Sequence, residues 1–579
     1  KNQIKAIFLK FMTSCVGFTS LYITFVIDMR KLIIYILALL TVPAAAQTGK
    51  DHNFEVAKNL EVFNSIYKNL DLLYVDTLSA DTVVGNAVDA MLGSLDPYTE
   101  YFPDAKVKDL KTMLTGKYAG VGSLIRFSQK YNNSFIDEPY ENMPAAEAGL
   151  KKGDLILAVD NLSMVGKSSQ YVSDNLRGDA GTSFMIKVKR LSTGKILKMK
   201  ITRRAIKMPS VPYYGLQANN IGYINLNQFT EDCSKDFRQA FIEMKKQGMK
   251  SLVIDLRGNG GGLESEAVNI VNMFVPKDVL VVSNRGKLKR MNHDYKTTAE
   301  PIDTVMPIVV LVNGGTASAS EITSGALQDF DRAVVMGTRT YGKGLVQMTV
   351  DLPYNGNLKL TTNKYYIPSG RCIQAINYKH ARGGYTEHVP DSLTKVFRTL
   401  HGREVRDGGG IKPDVEIKPD TASNIQTYLT SIIDSTETVL DYVVDYVAKH
   451  PTIDSPDKFE LSDADFEDFK QHVIKSGFKY DGVSEKILQE LVKSAKFEGY
   501  YNDAKNEFAA IEKKLKHNIG KDLDYNKEDI KEALASDIIS VYYYQRGSMQ
   551  YSLKHDKQMA EAMKLLTEPT EYKKILLPK

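Results

Sequence analysis

The chain has 579 residues, 43% hydrophobic and 25% charged, with three Cys and no Trp. That length accommodates roughly three or four domains, and the composition excludes a disordered, collagenous or disulfide-scaffold protein. Lys and Arg number 75 against 70 Asp and Glu. Residues 1–46 hold five of those cations and one anion, so the remainder carries 70 against 69. A dedicated nucleic-acid binder carries a basic excess, and nucleic acid is not expected as a partner.

Met29-Arg30-Lys31 precedes an apolar run from Leu32 to Val42, followed by Pro43 and Ala44-Ala45-Ala46. A basic start, a short apolar core and a small-residue site make up a secretory signal peptide. The run is shorter than the ~20 residues that span a bilayer. Residues 29–46 therefore read as a signal peptide cleaved after Ala46, and 1–28 as upstream translated sequence. The competing reading of 1–28 is a membrane anchor within Ile7 to Ile27. Export, to the periplasm, is expected, with membrane association only if 1–46 are retained. Cys233 and Cys372 remain after cleavage. An oxidising compartment would permit a disulfide that sequence cannot place. No His neighbours either thiol, which argues against a catalytic cysteine.

In the N-terminal region, 47–104, Val56, Leu60, Phe63, Tyr67 and Leu70 form one helical stripe. A second helix is expected from Asp81 to Leu92. It breaks at Leu95-Asp96-Pro97-Tyr98, because the residue before proline disfavours helix. From 105 to 204 the pattern predicts short strands and one small helix. Tyr118–Gly122 leads into Leu124-Ile125, Pro144–Leu150 is a helix closed by glycine, and Leu155–Val159 and Phe184–Val188 are strands. From 205 to 422 strands and helices alternate. Ile221–Leu226 is a strand, Thr230 is the expected N-cap, and Phe237, Phe241 and Met244 form the stripe of a helix ended by Gly248. Leu252–Leu256 is a strand buried on both faces, which makes a βαβ unit. Ile308–Val312, a helix from Ala319, Ala333–Met336 and an alternating strand through Leu358, Leu360 and Thr362 follow. Region 423–579 predicts helices only. One starts at Ser462 with Asp465 three residues on, and Tyr542-Tyr543-Tyr544 belongs to a core or an interface.

Two glycine-rich turns follow buried strands, Asp255–Gly262 and Val312–Glu321. Ligands in open α/β sheets bind beyond the carboxyl ends of the strands. Ser318 lies where the second turn enters a helix. The first N–H groups of that helix have no intrahelical partner and can donate to a developing oxyanion. Ala319 supplies one such donor and Gly261 of the first turn a second. A serine at a helix start is ordinarily structural, so the presence of a base decides. No His sits in a motif near Ser318, and only a distant one such as His388 is left for a triad. Lys343 is the better candidate, within Thr340-Tyr341-Gly342-Lys343-Gly344. Its flanking glycines allow close approach. In a following strand Lys343, Leu345 and Gln347 share a side, so Gln347 can orient the amine. A Lys that serves as base near neutrality must lose about three pKa units, roughly 4 kcal/mol, which burial can supply. Ser–Lys dyads are an established variant of the nucleophile–base pair. Gly337 to Lys343 also matches the first seven positions of a phosphate-binding loop. That motif needs Ser or Thr next and then a helix; Gly344 and a strand stand there instead. No zinc-spaced ligand cluster occurs, and no metal or cofactor is expected.

These residues resemble the carboxyl-terminal processing peptidases, also called tail-specific proteases. The shared features are Ser94–Tyr98, Pro144–Leu150 with Gly153-Asp154, Asp255–Asn259, Ala317–Glu321, Gly342-Lys343-Gly344 with Gln347, Pro368–Arg371 and Gly410–Asp414. They run in the family's order from about Leu92 to Asp414. The resemblance implies a multidomain α/β (α+β) protein, with a crotonase-like α/β protease core and an inserted PDZ domain between N-terminal helices and a C-terminal helical region. It implies Ser318 as nucleophile, Lys343 as general base and Gln347 as the residue that positions it. Some members carry an acidic residue matching Asp329. Eleven residues of helix place it ~16 Å from Ser318, so a supporting role is expected. Tyr118, Ala119, Gly120, Val121 and Gly122 resemble the PDZ loop that binds a terminal carboxylate. Arg177 reads as a surface ion pair or as a latch between PDZ domain and core. The expected function is an exported serine endopeptidase that engages accessible C-termini of protein or peptide substrates. The alternative is a PDZ scaffold with an inactive hydrolase-like core. A homodimer or larger oligomer is compatible with the paired terminal helices.

Overall fold

The computed structural model describes residues 52–375, 389–418, 421–430, 436–516 and 518–577. The signal-peptide region and His388 lie outside the described residues. The chain divides into two units, residues 1–88 and 89–579. The described part of the first contains the helix His52–Leu73, whose apolar stripe buries none of its residues. Among the described residues no helix is long and apolar enough to cross a membrane.

The second unit opens with the Asp96 turn, in which the Asp96 carboxylate accepts from the N–H groups of Tyr98 and Thr99, both at 2.8 Å. A helix not expected from the sequence, Asp104–Thr115, follows. Six antiparallel strands then form a small sheet, in the order Ser123–Ser128, Asn133–Pro139, Asp154–Val159, Ser183–Arg190 and Ile196–Thr202, with Leu162–Ser163 also paired to Asp154–Val159. The expected helix, Pro144–Glu147, is joined by a second, Ser169–Leu176, which corrects the single-helix reading. That second helix has a Ser N-cap but only two buried apolar residues, so its stripe is too short to stand out in sequence.

The core sheet has the order Tyr213–Gln217, Ile221–Asn225, Ser251–Asp255, Ile308–Val312, Val334–Gly337 and Val415–Glu416, and only its first pair is antiparallel. All residues of the second to fifth strands are buried, as a parallel sheet covered on both faces requires. On one face, Ile224, Leu252, Ile254 and Val310 pack against the helices Cys233–Lys246, Glu264–Asn272 and Ala319–Asp329. Thr230 is not the N-cap of the first of these. Asp232 takes that position, and the Thr230 hydroxyl instead pairs with Ser210. On the other face, Tyr223, Val253, Val309 and Leu311 meet Met559, Ala562, Leu566, Tyr572 and Leu576 of the last two helices. The Tyr572 hydroxyl accepts from Ile308 N–H and donates to the Ile308 carbonyl, each at 2.9 Å. Part of the C-terminal region is thus a structural layer of the core.

A second sheet, formed by Glu100–Phe102, Asn357–Tyr366, Leu280–Gly286 and His293–Lys296, with Leu345–Asp351 paired to the long strand, borders the same end of the core. The helices Asn424–Thr430, Thr438–Lys449, Asp463–Ser476, Ile519–Tyr525 and Lys527–Ser552 share a core containing Phe469, Phe478 and Ile538, to which Tyr542 and Tyr543 add their rings. The PDZ-like module packs on this region through Phe135 and Leu155 against Leu440 and Val444. Lys152, nearly buried, pairs there with both Asp137 and Asp537.

Candidate active site

Ser318 stands between the strand Ile308–Val312 and the helix Ala319–Asp329 at φ 57° and ψ −118°. A non-glycine residue rarely takes that conformation, and it persists only when its surroundings enforce it. The enforcing group is Glu321. Its carboxylate is fully buried and collects four donors. Ser318 N–H (2.8 Å) and Lys343 N–H (2.9 Å) reach Oε2, while Gly342 N–H (2.7 Å) and the Thr340 hydroxyl (2.5 Å) reach Oε1. A second clamp is the buried Tyr365, whose hydroxyl donates toward the carbonyls of Lys343 (2.7 Å) and Ser318 (3.2 Å). Two residues adjacent in neither loop nor sequence thus bind the main chains of Ser318 and Lys343 together. Burial drives the Glu321 carboxyl above its ordinary range, opposed by its four hydrogen bonds.

Ser318, Ala319, Lys343 and Gln347 line one cleft of about 630 Å³, with Gly260, Gly261 and Gly262 on its wall. Gly261 has φ +95°, and a Cβ there would lie 2.7–2.9 Å from Ala317 O, Ser318 Cβ and Ala319 N. Only glycine lets this turn touch the Ser318 corner. Ala319 N–H is the first amide of its helix. Gly261 N–H donates to the Asn259 side chain at 2.9 Å, so of the two expected oxyanion donors this one is already engaged. The glycines around Lys343 serve packing. A Cβ on Gly342 would meet Ala375 at 2.3 Å, and one on Gly344 would meet Gln374 at 2.8 Å.

The Lys343 amine stands over the ring of Tyr98, 4.5 Å from its centroid. Burial, and then the charge of Lys359, hold that amine below the usual lysine range; the carboxylates of Glu321, Glu100 and Asp96 act the other way. The Gln347 amide donates to the Thr361 hydroxyl at 3.0 Å. The register irregularity beside it is an extra residue, Thr362, on the partner strand, and Gln347 lines the cleft together with Lys343. Thr361 N–H in turn reaches the Thr99 hydroxyl, 3.2 Å away, which ties the Asp96 turn to this strand.

Asp329 is buried away from the cleft. It accepts from Arg371 at 2.8 Å and from Ser369 N–H at 2.9 Å, so the Pro368–Arg371 segment closes a structural network. Asp414 belongs to the same network through Arg403 and Gln328. Arg257 clasps Asp255 and reaches Asp556 and Gln558 on the C-terminal helix. In the PDZ-like module, Lys117–Gly120 pairs with Arg204–Lys207. Gly120, Val121 and Gly122 are buried, while Tyr118 and Ala119 are partly exposed. Burial raises the Tyr118 phenol, opposed by Arg177, whose guanidinium lies over the Tyr118 ring at 5.4 Å. Cys233 and Cys372 are both free thiols, and burial raises both. Glu321 and Tyr98 were not singled out by sequence reasoning. The spacing of Ser318 and Glu321, an N-terminal helix signature, was the available signal for the first.

A strained serine at the start of a helix, its main chain pinned to that of a partly buried lysine beside a cleft beyond the strands of an α/β sheet, defines a hydrolase-type site. Family models agree with that class: peptidase family S41 matches residues 220–380, a PDZ domain 135–190, and "Probable PDZ-protease, C-terminal helical domain" 429–566. The chain is 35% identical over 343 residues to the carboxy-terminal-processing protease of Bartonella bacilliformis, covering 58% of this chain and 77% of that protein. It is 33% identical over 335 residues to the "Probable CtpA-like serine protease" of Staphylococcus epidermidis, covering 57% of this chain and 65% of that one. The solved photosystem II D1 C-terminal processing protease is 27% identical, with a TM-score of 0.34 over 62% of this chain and 86% of that one. The chain belongs to peptidase family S41, the carboxy-terminal-processing proteases.

Proposed function

We propose that this peptidase is an exported serine endopeptidase that binds substrate C-termini through its PDZ domain and cleaves with a Ser318–Lys343 dyad. The observation that carries the reading is the double clamp of Glu321 and Tyr365 on the main chains of those two residues. Lys343, depressed by burial, turns from the Tyr98 ring and takes the Ser318 proton as Oγ attacks the scissile carbonyl carbon. Ala319 N–H, at the positive end of its helix, donates to the oxyanion. Collapse breaks the C–N bond, and the Lys343 ammonium returns the proton to the departing amine. Water then attacks the acyl-Ser318 ester, giving up its proton to Lys343, which passes it to the departing Ser318 Oγ as the ester bond breaks, and both residues return to their starting state. Gln347 holds the amine once it leaves Tyr98. At the PDZ loop, a terminal carboxylate accepts from backbone N–H groups of the Gly120–Gly122 turn and meets Arg177.

Incubating an unfolded polypeptide with the protein, Ser318→Ala, Lys343→Ala and Lys343→Arg tests this reading. Cleavage by the unsubstituted protein alone is expected, because Arg cannot deprotonate. Substantial cleavage by Lys343→Arg rejects the dyad. Binding without cleavage by every form supports the scaffold alternative. A mature first residue near Gln47, read by N-terminal sequencing, tests export.

A further inference from the structure

Glu264 opens the helix Glu264–Asn272, just beyond the Gly260–Gly262 turn, and lines the same cleft as Ser318. The mechanism leaves it without a task. Its Oε2 accepts from the Asn284 amide nitrogen at 2.7 Å. Its Oε1 and the Asn284 Oδ1 are both buried and receive no hydrogen bond from the protein. Buried polar atoms are nearly always paired, and each orphan costs about 1–3 kcal/mol. Two orphaned acceptors on hydrogen-bonded residues that both line the cleft call for a group rich in donors.

The neighbouring charges do not supply it. Lys359 is committed to Glu100 at 2.5 Å, and Lys343 lies on Tyr98. His293 is stacked edge-on against Tyr295, and Tyr295 and Tyr365 are phenols that burial keeps protonated. Only burial and the single Asn284 bond act on the Glu264 carboxyl, and burial wins, raising it to about 7. A carboxyl in that state becomes fully ionised when a cation arrives, and a charge-assisted bond is about twice as strong as a neutral one. A neutral donor meets the need only in part. An ammonium brings three donors and a guanidinium five, on stems whose methylene groups suit the Tyr295 and Ile322 walls.

We propose that Glu264 and Asn284 form the recognition end of a subsite that receives a Lys or Arg side chain of the substrate. This rests on the peptidase reading and names its substrate class: chains with a basic residue close to the scissile bond. Quenched fluorescent peptides carrying Lys, or norleucine with the same stem and no charge, at each position within about three residues of the cleavage point test it. The readout is the Lys-to-norleucine ratio of kcat/KM within each protein. At one position the unsubstituted protein should favour Lys by roughly tenfold, and Glu264→Gln should bring the ratio to about one. The ratio in the unsubstituted protein should also rise between about pH 6 and pH 8, as Glu264 ionises. A ratio near one at every position, or one that survives Glu264→Gln, overturns the subsite. Cleavage of norleucine peptides that Ser318→Ala abolishes keeps the peptidase reading standing in either case. If no peptide is cleaved, the peptidase reading falls and the subsite falls with it. Should Glu264→Gln not fold, the ratio and its pH course in the unsubstituted protein decide alone.

Discussion

Replacing Glu321 by Gln tests whether one carboxylate holds the site together. Four donors converge on it, two per oxygen. The amide replaces one oxygen with NH2. If the nitrogen faces the Ser318 and Lys343 amides, two backbone donors lose their acceptor. If it faces the other way, Gly342 N–H is orphaned, and Thr340, whose hydroxyl oxygen already accepts from Ile411 N–H, must reverse its donation. In the milder orientation one charge-assisted bond, about 1.5–3 kcal/mol, is lost and two are reduced to neutral strength. The cost is therefore about 3–5 kcal/mol. At 2–4 °C per kcal/mol for a core of this size, Tm falls by roughly 10 °C. Ser318 also loses the anchor of its strained backbone, and a displacement of about 1 Å costs on the order of 100-fold in rate. Calorimetry and peptide kcat/KM, measured on the same preparation, read both effects. A Glu321→Gln protein within about 1 kcal/mol of the parent and within about threefold in kcat/KM refutes the clamp.

The aromatic face of Tyr98 favours the charged form of Lys343, whereas catalysis needs the neutral one. Tyr98→Leu should therefore move the acid limb of the kcat/KM profile to lower pH, and Tyr98→Phe should leave it in place; a limb that ignores Leu refutes the contact. Lys359 repels the Lys343 charge, so Lys359→Gln should raise the Lys343 value and shift the same limb to higher pH. A shift in the opposite direction, or none, removes Lys359 from the account. Asp329→Asn leaves the buried Arg371 charge unpaired and should cost about 3–5 kcal/mol in urea unfolding. The folded fraction should keep Ser318 reactive toward a serine-directed fluorophosphonate; normal stability with lost reactivity would instead place Asp329 in the chemistry.

The family and the order of its motifs were legible, and Ser318 and Lys343 stood out as candidates, because a glycine-rich turn after a buried strand has few uses, and a serine and a glycine-flanked lysine 25 residues apart have fewer. The βαβ pattern was legible for the same local reason: continuous apolar strands and amphipathic helices differ in period. What sequence could not give were partners distant along the chain. Glu321 reads as a helix cap, and only folding brings the Lys343 loop onto its second oxygen and the Gly342 amide onto its first. Gln347 shares a side with Lys343 in an ideal strand and lines the same cleft, but its amide partner, Thr361, lies on a strand that only folding brings alongside. The last two helices looked like part of a separate module, yet they cover the open face of the core sheet with Tyr572 and Leu566. Periodicity records which face of an element is apolar; which distant surface meets that face, and which buried acceptor is left for a substrate, is decided by packing of the whole chain.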